Sequence, residues 1–205
     1  YGTSGYPGPT GGTWLWNGTD WNQASPATNP PERLGHAMAY DEARGVVVLF
    51  GGIGSGGDLG DTWLWDGNDW TLAAPATSPS ARYGHRMVYD AERGLVVLFG
   101  GDDASETWLW DGSNWTRATP ALSPPARNLV GMAYDAQRKE ILMFGGALSP
   151  SGSGLADDTW VWDGSTWSKR DVVGPPPRQN PVMSAGPQGL VYLFGGTFGL
   201  QGDMW

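Results

Sequence analysis

Few side chains in this 205-residue chain can carry covalent or redox chemistry, because it has no Cys and only two His. The absence of Cys excludes disulfides, thiolate metal sites and cysteine nucleophiles. His36 and His85 each follow a Gly in a similar local pattern, and a pair of imidazoles can bind a transition metal. No further ligand accompanies them at a recognisable spacing. The sequence therefore predicts no metal site and no cofactor, and the two His remain candidate binding residues.

An Arg recurs four times just after a Pro-containing loop, as Arg33, Arg82, Arg127 and Arg178. Guanidinium groups bind carboxylates through paired hydrogen bonds, so a ring of them could hold a carboxylate ligand or an acidic sugar. Alternatively, each Arg supports the scaffold by binding loop carbonyls or by pairing with the acid that precedes a recurrent Thr-Trp, or Met-Trp in the last case. Those acids are Asp61, Glu106, Asp158 and Asp203. Both interpretations stay open at this stage.

Several acids lie in Gly-rich or Ser-rich loops, where their carboxylates could face a ligand. They are Asp58, Asp61, Asp102, Asp103, Glu106, Asp157 and Asp158. Carboxylate oxygens are also the ligands that Ca²⁺ prefers, but no loop carries the spaced Asp ladder with a closing Glu that such a site needs. We therefore treat these acids, together with the four Arg and two His, as candidate binding residues and expect no metal.

These residues sit within a repeat that organises the chain. A Trp-rich string occurs at residues 13–21, 62–70, 107–115 and 159–167, and together the four copies contain twelve of the thirteen Trp. A second marker is an apolar run that ends in the triplet Phe-Gly-Gly. The Phe of this triplet is Phe50, Phe99, Phe144 or Phe194. The spacings of 49, 45 and 50 residues between these Phe define a unit of that length.

Each unit is predicted to form four short strands. In the first full unit, residues 46–50 are a continuous β-branched run that favours a strand covered on both faces, and the Gly pair after it is expected to end the strand. Trp63 and Trp65 alternate with Leu64, and the Asp-Gly that follows is a strong hairpin signal. Trp70 is therefore expected opposite Trp65 or Trp63.

Four antiparallel strands per unit, with no helical period, predict an all-β chain built as a β-propeller of four four-stranded blades. The repeat boundaries fall at residues 1–21 (a partial outer hairpin), 22–74, 75–119, 120–171 and 172–205 (incomplete). Packing between blades is favoured over a carbohydrate-stacking platform as the role of the Trp strings. The residues with predicted structural roles are Gly51, Gly52, Gly100, Gly101, Gly145, Gly146, Gly195, Gly196, Trp14, Trp63, Trp108 and Trp160.

The Gly-Gly doublets, the downstream Trp and a Tyr-Asp pair before the first turn resemble the kelch repeat, in its bacterial and archaeal form. The Tyr-Asp pair begins at Tyr40, Tyr89 and Tyr134, whereas the fourth unit has Ala185-Gly186. The resemblance covers nearly the whole chain and implies a propeller similar to the galactose-oxidase-like group. The copper-radical chemistry of that group is excluded, because its cross-linked cofactor requires a Cys. Kelch rings usually hold six or seven blades, so four copies make a small ring, part of a longer array, or a subunit that completes its ring by association.

The loops between the second and third strands of each unit differ in length and composition. They span residues 53–61, 102–106, 147–158 and 197–203, whereas the turns on the opposite side, such as 41–45 and 90–94, are close copies. Variable loops on a rigid scaffold are where recognition is usually located. We therefore expect the face that carries these loops to be the binding face.

Charge and hydrophobicity narrow the range of partners. Twelve basic residues against twenty-one acidic ones give a net charge of -9, which argues against binding to nucleic acid. The apolar runs are far shorter than the roughly 20 residues of a membrane-spanning helix, so no membrane insertion is expected. The predicted function is a non-catalytic module, extracellular or at the cell surface, whose loops bind protein or glycan.

Two other functions remain open. The first is a sugar-active enzyme similar to an epimerase or hydrolase, for which Asn128, Gln179 and Asn180 are the polar residues that break the repeat. The second is a structural unit of a surface assembly, whose open ends pair with other copies or with the rest of a longer protein.

Overall fold

The computed structural model describes residues 11–102, 104–148 and 154–197, and within these ranges the chain is all-β. One short 3₁₀ turn spans Pro187–Gly189. The strands are β1 (Trp14–Trp16), β2 (Trp21–Gln23), β3 (Ala37–Asp41), β4 (Val46–Gly54), β5 (Gly57–Trp65), β6 (Trp70–Leu72), β7 (Arg86–Asp90), β8 (Leu95–Phe99), β9 (Thr107–Trp110), β10 (Trp115–Arg117), β11 (Gly131–Asp135), β12 (Glu140–Phe144), β13 (Thr159–Trp162), β14 (Trp167–Arg170), β15 (Val182–Ala185) and β16 (Val191–Phe194).

Twelve of these strands form three antiparallel sheets of four strands each. The first sheet has the order β3-β4-β5-β6, the second β7-β8-β9-β10 and the third β11-β12-β13-β14. The predicted all-β chain of four-stranded antiparallel units is therefore confirmed for these three units. The fourth unit contributes only β15 and β16 within the described residues, and we call this pair the C-terminal hairpin. The pair β1-β2, which precedes the first sheet, is the N-terminal hairpin.

The sheets follow one another as an open series. The innermost strand of each unit contacts that of the next unit, in the order β3, β7, β11 and β15. In the described part of the chain, no strand pairing joins the N-terminal hairpin to the C-terminal hairpin, so a closed ring is not present. The outward edges of β1 and β16 consequently lack a strand partner among these residues.

The outer hairpin of each sheet is fixed by a pair of Trp side chains. Trp65 lies directly opposite Trp70, which settles the register that the sequence left open. Their ring centroids are 5.4 Å apart, and the other three hairpins repeat the pair at 5.4 to 5.6 Å. In the turn, Asp66 Oδ1 accepts hydrogen bonds from the backbone N–H groups of residues 68 and 69. This side-chain turn and the cross-strand aromatic contact act together to hold the hairpin.

Trp side chains also fill the space between neighbouring sheets. Phe50 of the first sheet and Trp115 of the second meet edge to face at 5.4 Å, and Phe99 meets Trp167 of the third sheet at 5.2 Å. These four side chains have no more than 1% of their surface exposed. The structure therefore places the aromatic residues of these sheets mainly in the core, as the packing interpretation predicted.

The Gly pair of the first unit does not end its strand, contrary to expectation. Strand β4 continues through Gly51 and Gly52 to Gly54, with a shift in register between Phe50 and Gly52. The reason for the Gly is close approach: a Cβ on Gly51, whose φ is +63°, would stand 2.6 Å from the carbonyl oxygen of Arg82. That same oxygen accepts a hydrogen bond from the N–H of Gly52 at 2.9 Å. The doublet thus lets the backbone of the next unit touch this strand.

A chain of backbone hydrogen bonds links all four units through the residues just before their innermost strands. The N–H of Gly84 donates to Gly35 at 2.9 Å, that of Leu129 to Gly84 at 2.7 Å and that of Asn180 to Leu129 at 2.6 Å. All four residues have positive φ, between +53° and +70°. Leu129 adopts this conformation without being Gly, so the inter-unit bond holds it in a region that L-residues rarely occupy. We call this chain the inner relay.

Candidate binding face

The variable loops and the loops that enter each innermost strand lie on one face of the molecule, as predicted. Backbone bridges join Leu34 to Ile53, Asn128 to Ala147 and Gln179 to Thr197. We call this the loop face. The copied turns 41–45, 90–94 and 135–139 connect the first two strands of each sheet at the opposite end, which we call the turn face.

The loops of the loop face have different backbone structures. In the first unit, β4 and β5 extend outward into a long hairpin that closes at Gly54 and Gly57. In the second, the described part of the loop is short, and Asp103 lies outside the described residues. In the third, Ala147 bridges to Leu155 around residues 149–153, which the structure does not describe. The face is therefore irregular although the sheets beneath it are regular.

The turn face is uniform and is built from one repeated contact. Asp41 is fully buried and pairs with Arg44 at 2.8 Å, and the same Arg donates to the carbonyl of Gly94 in the next unit at 3.0 Å. Asp90 with Arg93 and Asp135 with Arg138 repeat the pair. Each turn is thus tied to its successor, and this accounts for the near-identity of their sequences.

The recurrent Arg residues are buried beneath the loop face. Arg33 makes a two-pronged contact with Asp61, at 2.6 and 2.8 Å, and donates to the carbonyl of Gly51 at 2.9 Å. Arg127 makes the same two-pronged contact with Asp158, and Arg82 binds Glu106 at 2.7 Å. The acid expected beside Arg178, Asp203, lies outside the described residues; Arg178 donates to the carbonyl of Gly195 at 3.0 Å. This is the scaffold arrangement weighed above, and a role for these Arg in binding a ligand stays a prediction.

A Trp completes each of these clusters. Trp63 donates its indole N–H to Asp61 at 2.6 Å, Trp108 to Glu106 at 3.0 Å and Trp160 to Asp158 at 2.8 Å. Burial alone would raise the pKa of Asp61, but the hydrogen bonds from Arg33 and Trp63 and the charge of Arg33 hold that pKa below its ordinary value. The pKa values of Glu106 and Asp158 are lowered by the equivalent contacts against the same effect of burial. We refer to each set as an Arg-acid-Trp cluster.

The remaining acids of the loop face are placed differently. Asp58 and Asp157 are exposed, and Asp58 lies on the outer part of the first-unit hairpin, opposite Ile53. Asp102, at a φ of +44°, accepts a hydrogen bond from the backbone N–H of Tyr83 at 3.1 Å. Of the predicted carboxylates that the structure describes, Asp58 and Asp157 are therefore the ones most accessible to a ligand.

The two His lie at the starts of adjacent innermost strands, and they differ in burial. His85 is fully buried, and its Nε2 is 3.1 Å from the carbonyl oxygen of Phe50. Burial, with a smaller effect from the charge of Arg82, lowers the pKa of His85 to about 3. His36 is less buried, and its pKa is also lowered, mainly by burial. Among the described residues, no group of three or more metal-ligating side chains includes either His.

Arg86 is a notable residue that the sequence reasoning missed. It donates to the carbonyl of Val130 at 2.9 Å and to Asn180 Oδ1, so it spans three units. The sequence did contain a signal for it: Arg86 breaks the repeat, because the equivalent residues of the other units are Ala37, Gly131 and Val182. Of the polar residues that break the repeat, Asn180 is this acceptor, and Asn128 is buried with its side-chain oxygen unbonded in the described structure.

Neither a scan against models of known protein families nor a search of curated proteins finds a match for this chain. In the part of the chain that the structure describes, no helix is long and apolar enough to cross a bilayer. The candidate face is therefore defined by its own geometry: unequal loops and exposed acids above a layer of Arg-acid-Trp clusters.

Proposed function

We propose that this chain is a kelch-type β-propeller segment that acts as a non-catalytic binding module, extracellular or at the cell surface. Its ligand is a protein or a glycan, and the loop face binds it. The observation that carries the proposal is the contrast between the two faces. The turn face repeats one ion pair between a buried Asp and a partly exposed Arg, whereas the loop face carries loops of unequal length over equivalent supports.

The supports explain how such loops can vary without loss of the fold. Each Arg secures both ends of a variable loop, because it donates to the carbonyl of the first Gly of the doublet, where the loop begins, and binds the acid before the recurrent Thr-Trp, where the loop ends. Residues between these anchors, such as Ser55 and Asp58, are exposed. Binding residues placed on loops above a rigid scaffold are the usual arrangement in recognition domains.

A glycan microarray and a protein pull-down test the proposal with two charge-matched variants. The loop variant carries Asp58→Ser and Asp157→Ser, and the control carries Glu42→Ser and Glu92→Ser on the turn face. All four residues are exposed, and the Glu92 pair with Lys139 is a surface pair of little energetic value. We expect the loop variant to lose the binding of the wild-type chain and the control to retain it.

The opposite result would reject the proposed face. If both double variants bind as the wild type does, and a further variant with a two-residue turn in place of residues 54–57 also binds, the loop face does not make the contact. Turnover of an arrayed glycan by the wild-type chain would instead support the sugar-active alternative.

A further inference from the structure

The outer hairpins close through turns of one structure, which we call the hairpin tips. They span residues 17–20, 66–69, 111–114 and 163–166. Each tip begins with a residue followed by Gly, and the φ of these Gly lies between +98° and +102°. The last three tips begin with Asp, whereas the first begins with Asn17. Asn17 is thus an amide at a position where the repeat otherwise has a carboxyl.

The side-chain oxygen of Asn17 is held by three donors. Its Oδ1 accepts hydrogen bonds from the backbone N–H of Thr19 at 2.9 Å, from the hydroxyl of Thr19 at 2.8 Å and from the backbone N–H of Asp20 at 2.9 Å. Donors on a carbonyl oxygen stabilise the negative charge that develops there when a nucleophile adds to the carbon. The tip therefore activates Cγ of Asn17 toward attack.

A nucleophile is supplied by the next residue in the chain, because the backbone nitrogen of Gly18 can reach Cγ of Asn17 by closing a small ring. Among the described residues, no hydrogen bond occupies the N–H of Gly18. Gly18 has no side chain to hinder ring closure, and a Cβ at this position would meet nothing within 4 Å. Both residues are exposed, so water reaches the tip. Attack within one chain requires no encounter between separate reactants.

We propose that Asn17 is a site of spontaneous modification, at which the folded chain converts its own amide into a carboxylate. The nitrogen of Gly18 gives up its proton and bonds to Cγ of Asn17. The bond from Cγ to Nδ2 breaks, and the amide leaves as ammonia with that proton. Water then opens the resulting succinimide ring. Opening at Cγ gives Asp, and opening at the backbone carbonyl carbon gives isoaspartate, in which the main chain runs through the former side chain.

The Asp-Gly tips are protected from the same ring closure by their charge. A carboxylate is a poor electrophile, so Asp must be protonated before the next nitrogen can displace its hydroxyl as water. Hydrogen bonds from backbone N–H groups lower the pKa of Asp66, Asp111 and Asp163, so these side chains are ionised at neutral pH. An Asp formed at residue 17 has the same donors around it. The conversion therefore ends in the kind of tip that the other units already have.

The other Asn residues lack part of this arrangement, because Asn17 is the one Asn in the sequence that Gly follows. Asn29 and Asn180 precede Pro, which has no N–H to lose. Asn114 lies in the third tip, but the N–H that follows it belongs to the buried Trp115 and donates to a backbone carbonyl at 3.3 Å. We therefore expect the reaction to be selective for Asn17.

Incubation of the folded 205-residue chain in mildly alkaline buffer tests the proposal, since alkali removes the proton from the attacking nitrogen. Ion-exchange chromatography follows the reaction, because either product adds one negative charge to a chain whose net charge is -9. Peptide mapping by mass spectrometry should show that the peptide with Asn17 gains the mass difference between NH₂ and OH. Isoaspartyl methyltransferase should label part of the product. The peptide with Asn114 is the internal control and should keep its mass.

Variants of two tips separate the donors from the Asn-Gly pair. Thr19→Val removes the hydroxyl donor and should slow the loss of ammonia about two- to tenfold, the range expected for one hydrogen bond. Thr19→Ser keeps a hydroxyl and should restore the rate. Asp66→Asn creates Asn-Gly in the second tip, where the side-chain oxygen has two backbone donors and no hydroxyl. This variant should gain a second reactive site that is slower than Asn17.

Three results would overturn the proposal. The first is that Asn17 keeps its amide in the folded chain after the same chain unfolded in urea has lost it, because the tip would then protect the amide. The second is loss of ammonia from Asn114 at the same rate as from Asn17. The third is a rate in Thr19→Val equal to that of the wild type, which would show that the donors on Oδ1 do not assist the reaction.

Discussion

The indole N–H of Trp115 and the hydroxyl of Thr62 meet between two sheets at 2.9 Å, and both side chains are buried. The same bond recurs at the next junction between Trp167 and Thr107. The N–H of a buried indole cannot reach water, so removing its acceptor costs free energy. The distance between neighbouring sheets is therefore set by a polar contact as well as by aromatic packing.

Replacing the acceptor should weaken the fold measurably. Thr62→Val keeps the shape of the side chain but leaves the indole of Trp115 unbonded, so we expect a loss of about 1 to 3 kcal/mol in the free energy of unfolding. Urea unfolding followed by Trp fluorescence measures it. Thr71→Val, at an exposed position of β6, is the control and should change stability by less than about 0.5 kcal/mol.

Two Gly residues with nearly the same φ allow conformation to be separated from close approach. Gly51 and Gly45 have φ of +63° and +67°, but a Cβ at Gly45 would meet nothing within 4 Å, whereas at Gly51 it would stand 2.6 Å from a carbonyl oxygen. Gly45→Ala should cost about 1 to 2 kcal/mol from conformation alone. Gly51→Ala should cost clearly more, because the first two sheets must also move apart. Equal midpoints in urea for both variants would contradict the close-approach role.

The two Arg residues that bind Glu106 differ in burial and should differ in importance. The side chain of Arg82 is 2% exposed and that of Arg117 is 60% exposed. Arg82→Lys removes the fixed planar donors from a buried site, so we expect a loss of about 2 kcal/mol or more. Arg117→Lys should change stability by less than about 0.5 kcal/mol, as for other surface ion pairs. A similar loss in both variants would show that burial of the Arg-acid-Trp cluster is unimportant.

Acid should destabilise the protein through His85 before it affects the carboxylates. Burial and the charge of Arg82 lower the pKa of His85 from 6.5 to about 3, so the unfolded chain binds a proton that the folded chain refuses. Stability should therefore be fully present above pH 6.5 and fall as the pH decreases toward 3, by at most about 1.4 kcal/mol per unit from this group.

Two variants show whether His85 causes this loss of stability at acid pH. His85→Gln keeps a hydrogen-bond donor near Phe50 and should flatten the profile of unfolding free energy between pH 6.5 and pH 5. His36→Gln should flatten it less, because His36 is less buried. Loss that persists in both variants would have to come from other groups. The lowered pKa values of Asp61, Glu106 and Asp158 act at lower pH, where those carboxylates become protonated.

Local signals in the sequence were sufficient for most of the strands and for the outer hairpins. The Asp-Gly turn and the alternation around Trp65 predicted a hairpin with Trp70 opposite Trp65 or Trp63, because both signals depend on neighbouring residues, and the structure selects Trp65. The pairing of Arg33 with Asp61 was also accessible as an alternative, since the two recur together in successive units. The sequence did not distinguish a ligand-binding Arg from a structural one, because that depends on burial.

Contacts between units were harder to predict. Arg86 and Asn180 are 94 residues apart, and neither type occurs at the equivalent position of another unit, so no recurrent pattern links them. The positive φ of Leu129 was also unexpected, because the residue type argues against it and only the inner relay demands it. The close approach at Gly51 was also not predictable from local sequence, because the carbonyl of Arg82 that it meets belongs to the next unit.

The inner relay has a consequence for the order in which the chain opens. Amide hydrogens exchange with solvent when their bonds break, and in a linear series of units the outermost bonds open most easily. The Leu129 amide, in the middle of the relay, should therefore exchange more slowly than that of Asn180 near its end. The molecule would fray from its two hairpins inward and keep the second sheet, which has a full neighbour on each side, as its most slowly exchanging part.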